Sequence, residues 1–424
     1  MRISLVSEHA NPLAALGGVD AGGQNVHVAE LARALAMRGH EVVVHTRREH
    51  PDQPEYVVMA PGVQVHHVTA GPAETIPKDA IVEHLPELAR QLHRTWRRDR
   101  PDVVHAHFWM SGVASVEAAA PLRLPVAVTF HALGSVKRRH QGRADTSPAS
   151  RLGAERSLVR TVDLVLATST HEVEELESMG AERSRVEVVP CGVDVSLFRP
   201  DGAGRLWNPR RPMLLSLGRL VPRKGIDDAI RMLAHLPECE LVVAGGPPRE
   251  RLADDPEAQR LLEVAERAGV GSRVTFLGAV GRTEVPDLIR SADVVVCLPW
   301  YEPFGLVPLE AMACGTPVVG SRVGGLVDTI EDGSTGWLVE PRDPAQAAAA
   351  VRRLLASPGL LRAMQLSGPE RAAEQFSWES VAARTERAYE RIRSESAIRA
   401  ITVPRARPAA QLAGRPSRPL GARR

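Results

Sequence analysis

The stretch GRLVPRKGID, residues 218–227, contains two cations of different shape. Arg219 follows the apolar run LLSLG, which predicts a buried strand, and Lys224 enters the next predicted helix. Arginine presents a planar fork of donors and lysine a compact ammonium, so together they suit a diphosphate. Three of the 53 basic side chains are lysine, so a lysine kept here is expected to be required by its site. We predict that both bind a diphosphate; the alternative is an ordinary surface loop.

Two glutamates lie eight positions apart in YEPFGLVPLEAMACGTPVV, residues 301–319. Glu302 falls in a predicted loop and Glu310 in a helix predicted to begin near residue 304 or 305. Eight helical residues rise about 12 Å, which exceeds the ~5–10 Å between the carboxyl groups of a glycosidase pair. The two carboxylates therefore suit the ends of one elongated ligand, although a solvated helix face would give the same spacing.

A nucleoside diphosphate sugar is a ligand of this kind. We predict that its sugar lies at Glu302 and its ribose hydroxyl groups at Glu310. The positive end of the helix favours phosphate. The diphosphate is therefore predicted to meet the backbone amides of Phe304, Gly305 and Leu306.

A glycine-rich loop, NPLAALGGVDAGGQN at residues 11–25, separates the first predicted strand from the first predicted helix. Its length of about 15 residues exceeds the two to six that are usual for such loops. Gly22 and Gly23 let backbone amides at the helix start approach a phosphate or a polar sugar. The spacing is not GxGxxG, so a dinucleotide fingerprint is not supported. A flexible glycine turn is the alternative.

One histidine directly follows a predicted strand. His131 comes after PVAVTF, so we expect it at the carboxyl edge of a parallel sheet and facing a cleft. The basic run KRRHQGR, residues 137–143, lacks interleaved aromatic residues. An anion site or a solvated loop is therefore favoured there over nucleic-acid binding.

Alternating strands and helices must position these residues. RISLVS, a helical segment ending near Gly39, and EVVVHT form a strand–helix–strand unit of a parallel sheet. After a Pro-, Gly- and Arg-rich stretch at about residues 191–212, the alternation begins again at MLLSLG. The sequence predicts two doubly wound α/β domains that face each other across a cleft, with ligands at the carboxyl ends of the strands.

Composition limits the class of protein. The 424 residues suit two domains, and 44% hydrophobic with 25% charged residues is typical of soluble globular chains. There is no apolar run of about 18–20 residues that would span a membrane, and the N-terminal run is too short for a signal peptide, so we expect a cytoplasmic protein. Four widely spaced cysteines suggest reduced packing residues rather than metal ligands. Residues 396–424 contain seven arginines and no acid, which predicts a disordered, solvated tail, with contact to nucleic acid or an acidic membrane as the alternative.

The motifs resemble those of family 4 retaining glycosyltransferases with the GT-B fold, over residues 1 to about 392. The matching stretches are DAGGQNVHVAELARALAMRGHEV, FHALG, VPCGVD, SLGRLVPRKGID and EPFGLVPLEAMACGTPVV, the last with two glutamates separated by seven residues. The resemblance implies an α/β GT-B architecture of two Rossmann-like domains. Its expected parts are an acceptor-side domain (1–195), a linker (196–212), a nucleotide-sugar domain (213–375), a helix that crosses back (376–395) and the basic tail (396–424).

The resemblance also implies roles. His131 and Glu302 would contact the transferred sugar as catalytic residues, and the backbone near Val280 would meet the base. Arg219, Lys224 and Gly23 would serve the diphosphate. The leaving diphosphate would help to deprotonate the acceptor hydroxyl, so cations matter more than a strong protein base. No metal or cofactor is required by that scheme.

Within the family, the chain looks most like the group of sucrose-phosphate synthase and the mycothiol-pathway enzyme that glycosylates inositol phosphate. Two positions differ from that second pattern. Phe108 replaces a phosphate-binding tyrosine and Ala132 a threonine, so two hydroxyl groups are lost, which argues against inositol phosphate specifically. Other small sugars, sugar phosphates or cyclitols remain as candidate acceptors. The acceptor residues implied by the resemblance are His9, Gly22, Asn25, Lys78, Lys137 and Arg151.

The expected function is retaining transfer of a hexosyl or N-acetylhexosaminyl group from a nucleoside diphosphate sugar, with UDP favoured, to a small soluble acceptor. One alternative is a lipid-linked or membrane-surface glycosyltransferase anchored by KDAIVEHLPELARQLHRTWRRDR, residues 78–100, although core packing of this helix is favoured. A non-catalytic nucleotide-sugar binder and a sugar nucleotide epimerase are the others. No nucleic-acid partner is expected, and a homodimer is left open.

Overall fold

The computed structural model describes residues 1–14, 22–142, 145–202, 204 and 211–402. Gly17 and Gly18 of the first loop lie outside the described residues. So do most of the Arg-rich part of the linker and the tail from residue 403, so the prediction of disorder there is not addressed. Within the described part, no helix is long and apolar enough to cross a membrane.

The first domain is built on an eight-stranded sheet with strand order β3-β4-β2-β1-β5-β6-β7-β8. All its pairs are parallel except β3 with β4. The strands are β1 (Arg2–Val6), β2 (Glu41–Arg47), β3 (Tyr56–Ala60), β4 (Val63–Val68), β5 (Val103–His107), β6 (Val126–Thr129), β7 (Leu164–Ala167) and β8 (Val186–Val188). The helices are α1 (Gly23–Met37), α2 (Leu85–Arg98), α3 (Trp109–Ala119), α4 (Gly134–Gln141), α5 (Arg151–Thr161) and α6 (Thr170–Ser178).

The antiparallel edge strand β3 was not predicted. It forms a hairpin with β4 through Pro61 and Gly62, and Gly62 has φ +77. Apolar residues lie on both sides of this turn between Tyr56 and Val68, so their pattern alone does not show that they form two paired strands. Proline and glycine at the turn are the local signal that separates the two strands.

The second domain contains a six-stranded, wholly parallel sheet with strand order β11-β10-β9-β12-β13-β14. Its strands are β9 (Met213–Leu217), β10 (Glu240–Ala244), β11 (Val274–Gly278), β12 (Val294–Cys297), β13 (Val318–Ser321) and β14 (Gly336–Val339). Its helices are α7 (Ile226–Leu233), α8 (Pro256–Arg267), α9 (Val285–Arg290), α10 (Leu306–Ala313), α11 (Leu326–Thr329), α12 (Pro344–Leu355) and α13 (Pro358–Phe376). Apolar clusters cover both faces of each sheet, as continuous apolar strands require.

The last helix, α14 (Trp378–Thr402), packs its first half into the core of the first domain. Trp378 and Tyr389 are buried there beside residues of α1 and β1. This helix extends to residue 402, since the run AIRAIT has no helix breaker before Pro404. The predicted boundaries of the domains and of the tail stay predictions.

Helix α2 is packed against the core, as its pattern favoured. Leu88, Leu92 and Trp96 are each no more than 1% exposed, and the Trp96 indole donates to Ser4 Oγ at 3.0 Å. The four cysteines are likewise buried, and none of them forms a disulfide.

Both sheets change the direction of chain progression at one point. In the first sheet this point lies between β1 and β5, and in the second between β9 and β12. Ligands of open α/β sheets bind at the carboxyl ends of strands beside such a switch. The residues that follow β1, β5, β9 and β12 are therefore the ones expected to form a site.

Candidate active site in the cleft between the domains

Residues of both domains line one cleft of about 390 Å³. Its walls follow strands beside both switch points, so the topology accounts for its position. The predicted residues in its lining are His9, Gly22, Gly23, Asn25, Lys78, His131, Arg219, Lys224, Glu302, Phe304, Gly305, Leu306 and Glu310.

Three predicted residues lie outside this lining. Lys137 Nζ lies 3.0 Å from Asp145 Oδ1 and 2.9 Å from Ser147 Oγ. Arg151 is 3% exposed and its Nε donates to Glu155 at 2.8 Å. Val280 lies in the loop after β11, two residues before Arg282, whose guanidinium donates to Glu310. Their predicted roles stay predictions.

Two helix N-termini face each other across the cleft. Gly23 begins α1 and Leu306 begins α10, and a Cβ atom at Gly23 would lie 3.2 Å from Leu306 Cδ1. Gly305 precedes α10 with φ +75, a conformation in which glycine is favoured. Because helix N-termini present unpaired N–H groups and partial positive charge, this part of the cleft suits an anion.

Glu302 is held as a carboxylate by two cations. The ammonium of Lys224 donates to its Oε2, and Arg223 Nη1 lies 3.7 Å from the same atom. Burial alone would raise the pKa of Glu302, but Lys224 and Arg223 lower it below its ordinary value. The ionised carboxylate can therefore accept hydrogen bonds from hydroxyl groups in the cleft. Arg223 was not predicted as a site residue, although its place beside Lys224 in the motif was the available signal.

Glu310 occupies the opposite end of the glutamate motif. It lies inside α10, is 8% exposed, and its Oε1 accepts from Arg282 Nη1 at 3.2 Å. Burial raises its pKa, and Arg282 opposes that shift only in part. Arg282 comes from the same loop as Val280, so this loop reaches the cleft beside Glu310.

His131 has an unusual backbone and an unpaired ring atom. Its φ is +60, a left-handed conformation that costs a non-glycine residue about 1–2 kcal/mol. Its Nε2 lies 2.9 Å from His107 Nδ1, and its buried Nδ1 has no hydrogen-bond partner among the described residues. Burial, with nearby His27 and other histidines, lowers its pKa well below the ordinary value. The ring is therefore neutral and can hydrogen-bond a hydroxyl group.

A network of buried histidines packs against His131. His105 and His107 are two residues apart in β5, so they share one face of the sheet, and their ring centroids are 4.1 Å apart. The ring of His27 lies 5.1 Å from that of His131. The alternation HAH in the predicted strand was the signal for this network, which sequence reasoning did not use.

The last helix joins this network through Tyr389. Thr129 Oγ1 donates to the Leu166 carbonyl at 3.1 Å, so His105 Nε2 donates to Thr129 at 3.0 Å. The Nδ1 atom of His105 must then accept from the Tyr389 hydroxyl at 2.6 Å. All the side chains of this chain of hydrogen bonds are buried.

Tyr389→Phe is expected to destabilise the protein by about 1–3 kcal/mol, because it leaves a buried acceptor on His105 without a donor. The midpoint of thermal unfolding measures the effect. Tyr56→Phe is the matched control, since Tyr56 is 42% exposed and stacks on His66. Equal midpoints for the two variants would contradict the assignment.

The first-domain end of the cleft combines cations with an aromatic ring. Phe108 directly precedes α3 with φ +83, and its ring lies 5.2 Å from Lys78 Nζ and 5.0 Å from the Arg151 guanidinium. His9 packs edge-on against the same ring at 4.9 Å. Lys78 lies in the cleft lining, whereas Arg151 lies outside it. The positive charge at this end suits an anionic group.

The described residues contain no group of three or more His, Cys, Asp and Glu side chains arranged to hold a metal ion. The cleft thus offers cations, helix N-termini, an ionised carboxylate and a neutral imidazole. Such a set can stabilise charge that develops on a leaving phosphate group while it holds a polyhydroxyl substrate.

Comparison with known families divides the chain as the two sheets do. Residues 21–197 match the model for Glycosyltransferase Family 4, and residues 202–371 match the model for Glycosyl transferases group 1. A curated relative, the D-inositol 3-phosphate glycosyltransferase of Acidothermus cellulolyticus, is 37% identical over 400 residues, which cover 89% of this chain and 88% of the relative.

Solved structures show the same architecture. Sucrose-phosphate synthase from Thermosynechococcus elongatus aligns with a TM-score of 0.84 and 32% identity, covering 93% of this chain and 99% of its own. Anabaena HepE, solved in complex with UDP-glucose, aligns with a TM-score of 0.68 and 19% identity over 92% of this chain and 100% of its own. The second likeness is one of fold alone.

Proposed function

The chain belongs to the family 4 glycosyltransferases and has the GT-B fold, and on that basis we propose which molecules it joins. The proposed reaction moves a hexosyl or N-acetylhexosaminyl group from a nucleoside diphosphate sugar, with UDP favoured, to a hydroxyl group of a small acceptor. The anomeric configuration is retained. Membership of the family does not by itself specify the donor nucleotide, the transferred sugar or the acceptor.

The contact of Lys224 and Arg223 with Glu302 carries the proposal. Two cations and a carboxylate meet beside two helix N-termini, which matches a ligand with a diphosphate next to a sugar. As the bond to the sugar breaks, negative charge grows on the diphosphate, and Lys224, Arg223 and Arg219 are available to stabilise it. Anabaena HepE, which shares the fold, was solved in complex with UDP-glucose, a donor of the proposed class.

His131 and Glu302 are proposed to bind the sugar. The neutral imidazole of His131, a residue of the cleft lining, has one buried nitrogen without a partner among the described residues, and the ionised carboxylate can accept hydrogen bonds from hydroxyl groups. With the diphosphate as the group that deprotonates the acceptor, neither side chain has to be a strong base. Both act by holding the reacting carbon beside the acceptor.

The acceptor is proposed to be a small polyol or sugar, with a phosphate form favoured. Lys78 lines the cleft at the Phe108 ring and gives this end a positive charge. D-inositol 3-phosphate and the acceptor implied by the name sucrose-phosphate synthase are candidates of this class. Phe108 cannot donate the hydrogen bond of a tyrosine, so the fit to inositol phosphate is the point to test.

The membrane-surface alternative finds less support. An interfacial helix needs a free apolar face, whereas Leu88, Leu92 and Trp96 of α2 are buried in the domain core.

The test is a screen of UDP-, GDP- and ADP-sugars with D-inositol 3-phosphate, a hexose phosphate and the unphosphorylated forms. Release of nucleoside diphosphate that depends on an acceptor supports the proposal, and proton NMR of the new bond measures retention. Donor isomerised without transfer would instead indicate an epimerase. Binding of the donor without turnover would indicate a non-catalytic binder.

Glu310→Gln is expected to weaken UDP binding about 10- to 100-fold, because hydrogen bonds to a charged acceptor contribute about 1.5–3 kcal/mol. Isothermal titration calorimetry measures the affinity. Pyrophosphate has no ribose, so its affinity should stay unchanged and serves as the internal control. An equal loss for both ligands would contradict the assignment of Glu310 to the ribose.

A further inference from the structure

A second cavity, of about 680 Å³, lies at the outer edge of the first sheet and shares no lining residue with the cleft. It is bordered by the second half of α2, the second half of β4, the loop after β2 and the residue before β3. Its volume is within the range of about 300–1,000 Å³ that is usual for small-molecule sites.

Four guanidinium groups line this cavity. Arg94, Arg97 and Arg98 come from α2, and Arg48 comes from the loop after β2. The carboxylate in the lining is Glu55, which lies 3.8 Å from His66. The ion pairs found among the described residues do not include any of the four arginines. The cavity therefore has a clear excess of positive charge.

The ordinary explanation for arginines at a helix end covers only part of this set. Arg97 and Arg98 lie in the last turn of α2, where cations complement the negative end of the helix. That explanation does not extend to Arg48, which comes from another element and adds to the same charge. Burial, with His67, Arg98 and Arg48 nearby, lowers the pKa of His66 to about 4, so the imidazole of His66 adds no charge.

Two buried polar atoms of the lining residues have no partner among the described residues: His67 Nε2 and Arg48 Nε. His67 is 3% exposed, and its Nδ1 lies 2.7 Å from the Pro54 carbonyl oxygen. A carbonyl oxygen only accepts, so Nδ1 carries a proton, and Nε2 is the acceptor in the tautomer that this hydrogen bond selects. Arg48 Nε is a donor. The same cavity thus has an unmet acceptor and an unmet donor in its walls.

We propose that this outer cavity binds a small phosphate ester that also carries a hydroxyl group. The phosphate is held by Arg94, Arg97 and Arg98, with Arg48 donating from the other side, and the hydroxyl group donates to His67 Nε2. Phosphate suits several forked donors at once, and the acceptor on His67 explains why a bare anion is not the best ligand. A free metabolite and a phospholipid headgroup share this chemistry.

The test uses calorimetry with inorganic phosphate and with glycerol 3-phosphate, which has both groups. We expect glycerol 3-phosphate to bind more tightly, and Arg94→Gln/Arg98→Gln to weaken it about 10-fold or more. The matched control, Arg156→Gln/Arg387→Gln, removes the same charge from two exposed arginines elsewhere and should bind as the wild type does. Equal affinities in the two double variants, or no binding of either probe, would overturn the proposal.

A second variant tests the hydroxyl contact. His67→Asn keeps a donor that can reach the Pro54 carbonyl but removes the acceptor at the Nε2 position. It should reduce the affinity for glycerol 3-phosphate to that for inorganic phosphate and leave the latter unchanged. Unchanged preference for glycerol 3-phosphate would contradict the assigned contact.

The source of the phosphate is decided by sedimentation with vesicles of phosphatidylcholine alone or mixed with phosphatidylglycerol. Binding to the mixed vesicles that the Arg94→Gln/Arg98→Gln variant loses supports a lipid headgroup, and binding of free glycerol 3-phosphate alone supports a metabolite. All measurements are repeated with Lys224→Ala. That change lies in the cleft, so it should leave binding in the outer cavity unaffected. It therefore separates a failure of the outer-cavity proposal from a failure of the proposed function.

Discussion

Replacing Lys224 by alanine is expected to lower kcat/KM for glycosyl transfer about 100- to 1,000-fold, the usual cost of removing one group that stabilises transition-state charge. The reason is geometric. Lys224 is half of the cationic pair at Glu302, and it lines the cleft together with the residues that begin α1 and α10. In the variant, the negative charge that grows on the diphosphate would no longer be stabilised by this ammonium. Initial rates at varied donor concentration measure the effect.

The same substitution should change the pH profile. Lys224 and Arg223 together lower the pKa of Glu302 against the effect of burial. Without Lys224, burial is opposed only by Arg223 and by the backbone hydrogen bond from Phe304, so the pKa rises. Because a carboxylate with a raised pKa is protonated earlier as the pH falls, the variant should lose its remaining activity at a higher pH than wild type does.

Two further variants separate charge from shape. Lys224→Arg keeps the charge, but a planar fork does not fill the place of a compact ammonium beside Glu302, so we expect only partial recovery. Arg231→Ala removes a cation from α7 that pairs with Asp227 and Asp228 outside the cleft lining, and it should retain wild-type kcat/KM. A Lys224→Ala protein as active as the Arg231 control would remove the basis for the diphosphate assignment.

Much of this site was predictable because topology places strand ends together. Lys224 and Glu302 each follow a strand beside the switch point of the second sheet, and their residue types already indicated a diphosphate beside a sugar. His131, at the end of a first-domain strand, faces them across the cleft. Such residues can be found from strand order alone, since parallel strands deliver their carboxyl ends to one edge.

What could not be predicted depends on contacts between distant parts of the chain. Lys137 and Arg151 have the right charge for an acceptor phosphate, and that role stays a prediction. The sequence did not show that both residues pair with neighbours, Asp145, Ser147 and Glu155, outside the cleft lining. The hydrogen bond of Tyr389 to His105 spans 284 positions and has no sequence pattern.

Gly225→Ala is expected to reduce kcat/KM by about 100-fold or more without any change in a cleft side chain, because small misplacements of a catalytic group can cost that much. Gly225 has φ +65, and a Cβ atom there would lie 1.8 Å from the backbone oxygen of Leu298. The clash is between backbone segments, so neither can rotate away. The loop of Lys224 and the loop that leads to Glu302 would have to separate.

Gly269→Ala supplies the matched control. Gly269 has φ +68, nearly the same backbone conformation, but no atom lies within 4 Å of an added Cβ. Its alanine variant should carry only the left-handed strain of about 1–2 kcal/mol, seen as a modest fall in the thermal midpoint with full activity. If the two glycine variants had the same activity, the close approach at Leu298 would have no functional role.

The combination of the two predictions tests the mechanism itself. If Gly225→Ala acts by moving Lys224 away from Glu302, then adding Lys224→Ala removes an interaction that is already lost. The double variant should therefore be nearly as active as the weaker of the two single variants, rather than showing the product of both losses. Full additivity would mean that the glycine supports another part of the cleft. The backbone N–H of Trp300 donates a hydrogen bond to the Arg223 carbonyl at 2.9 Å, which is a second contact between the same two loops. Because both contacts join these loops, we expect the non-additive outcome.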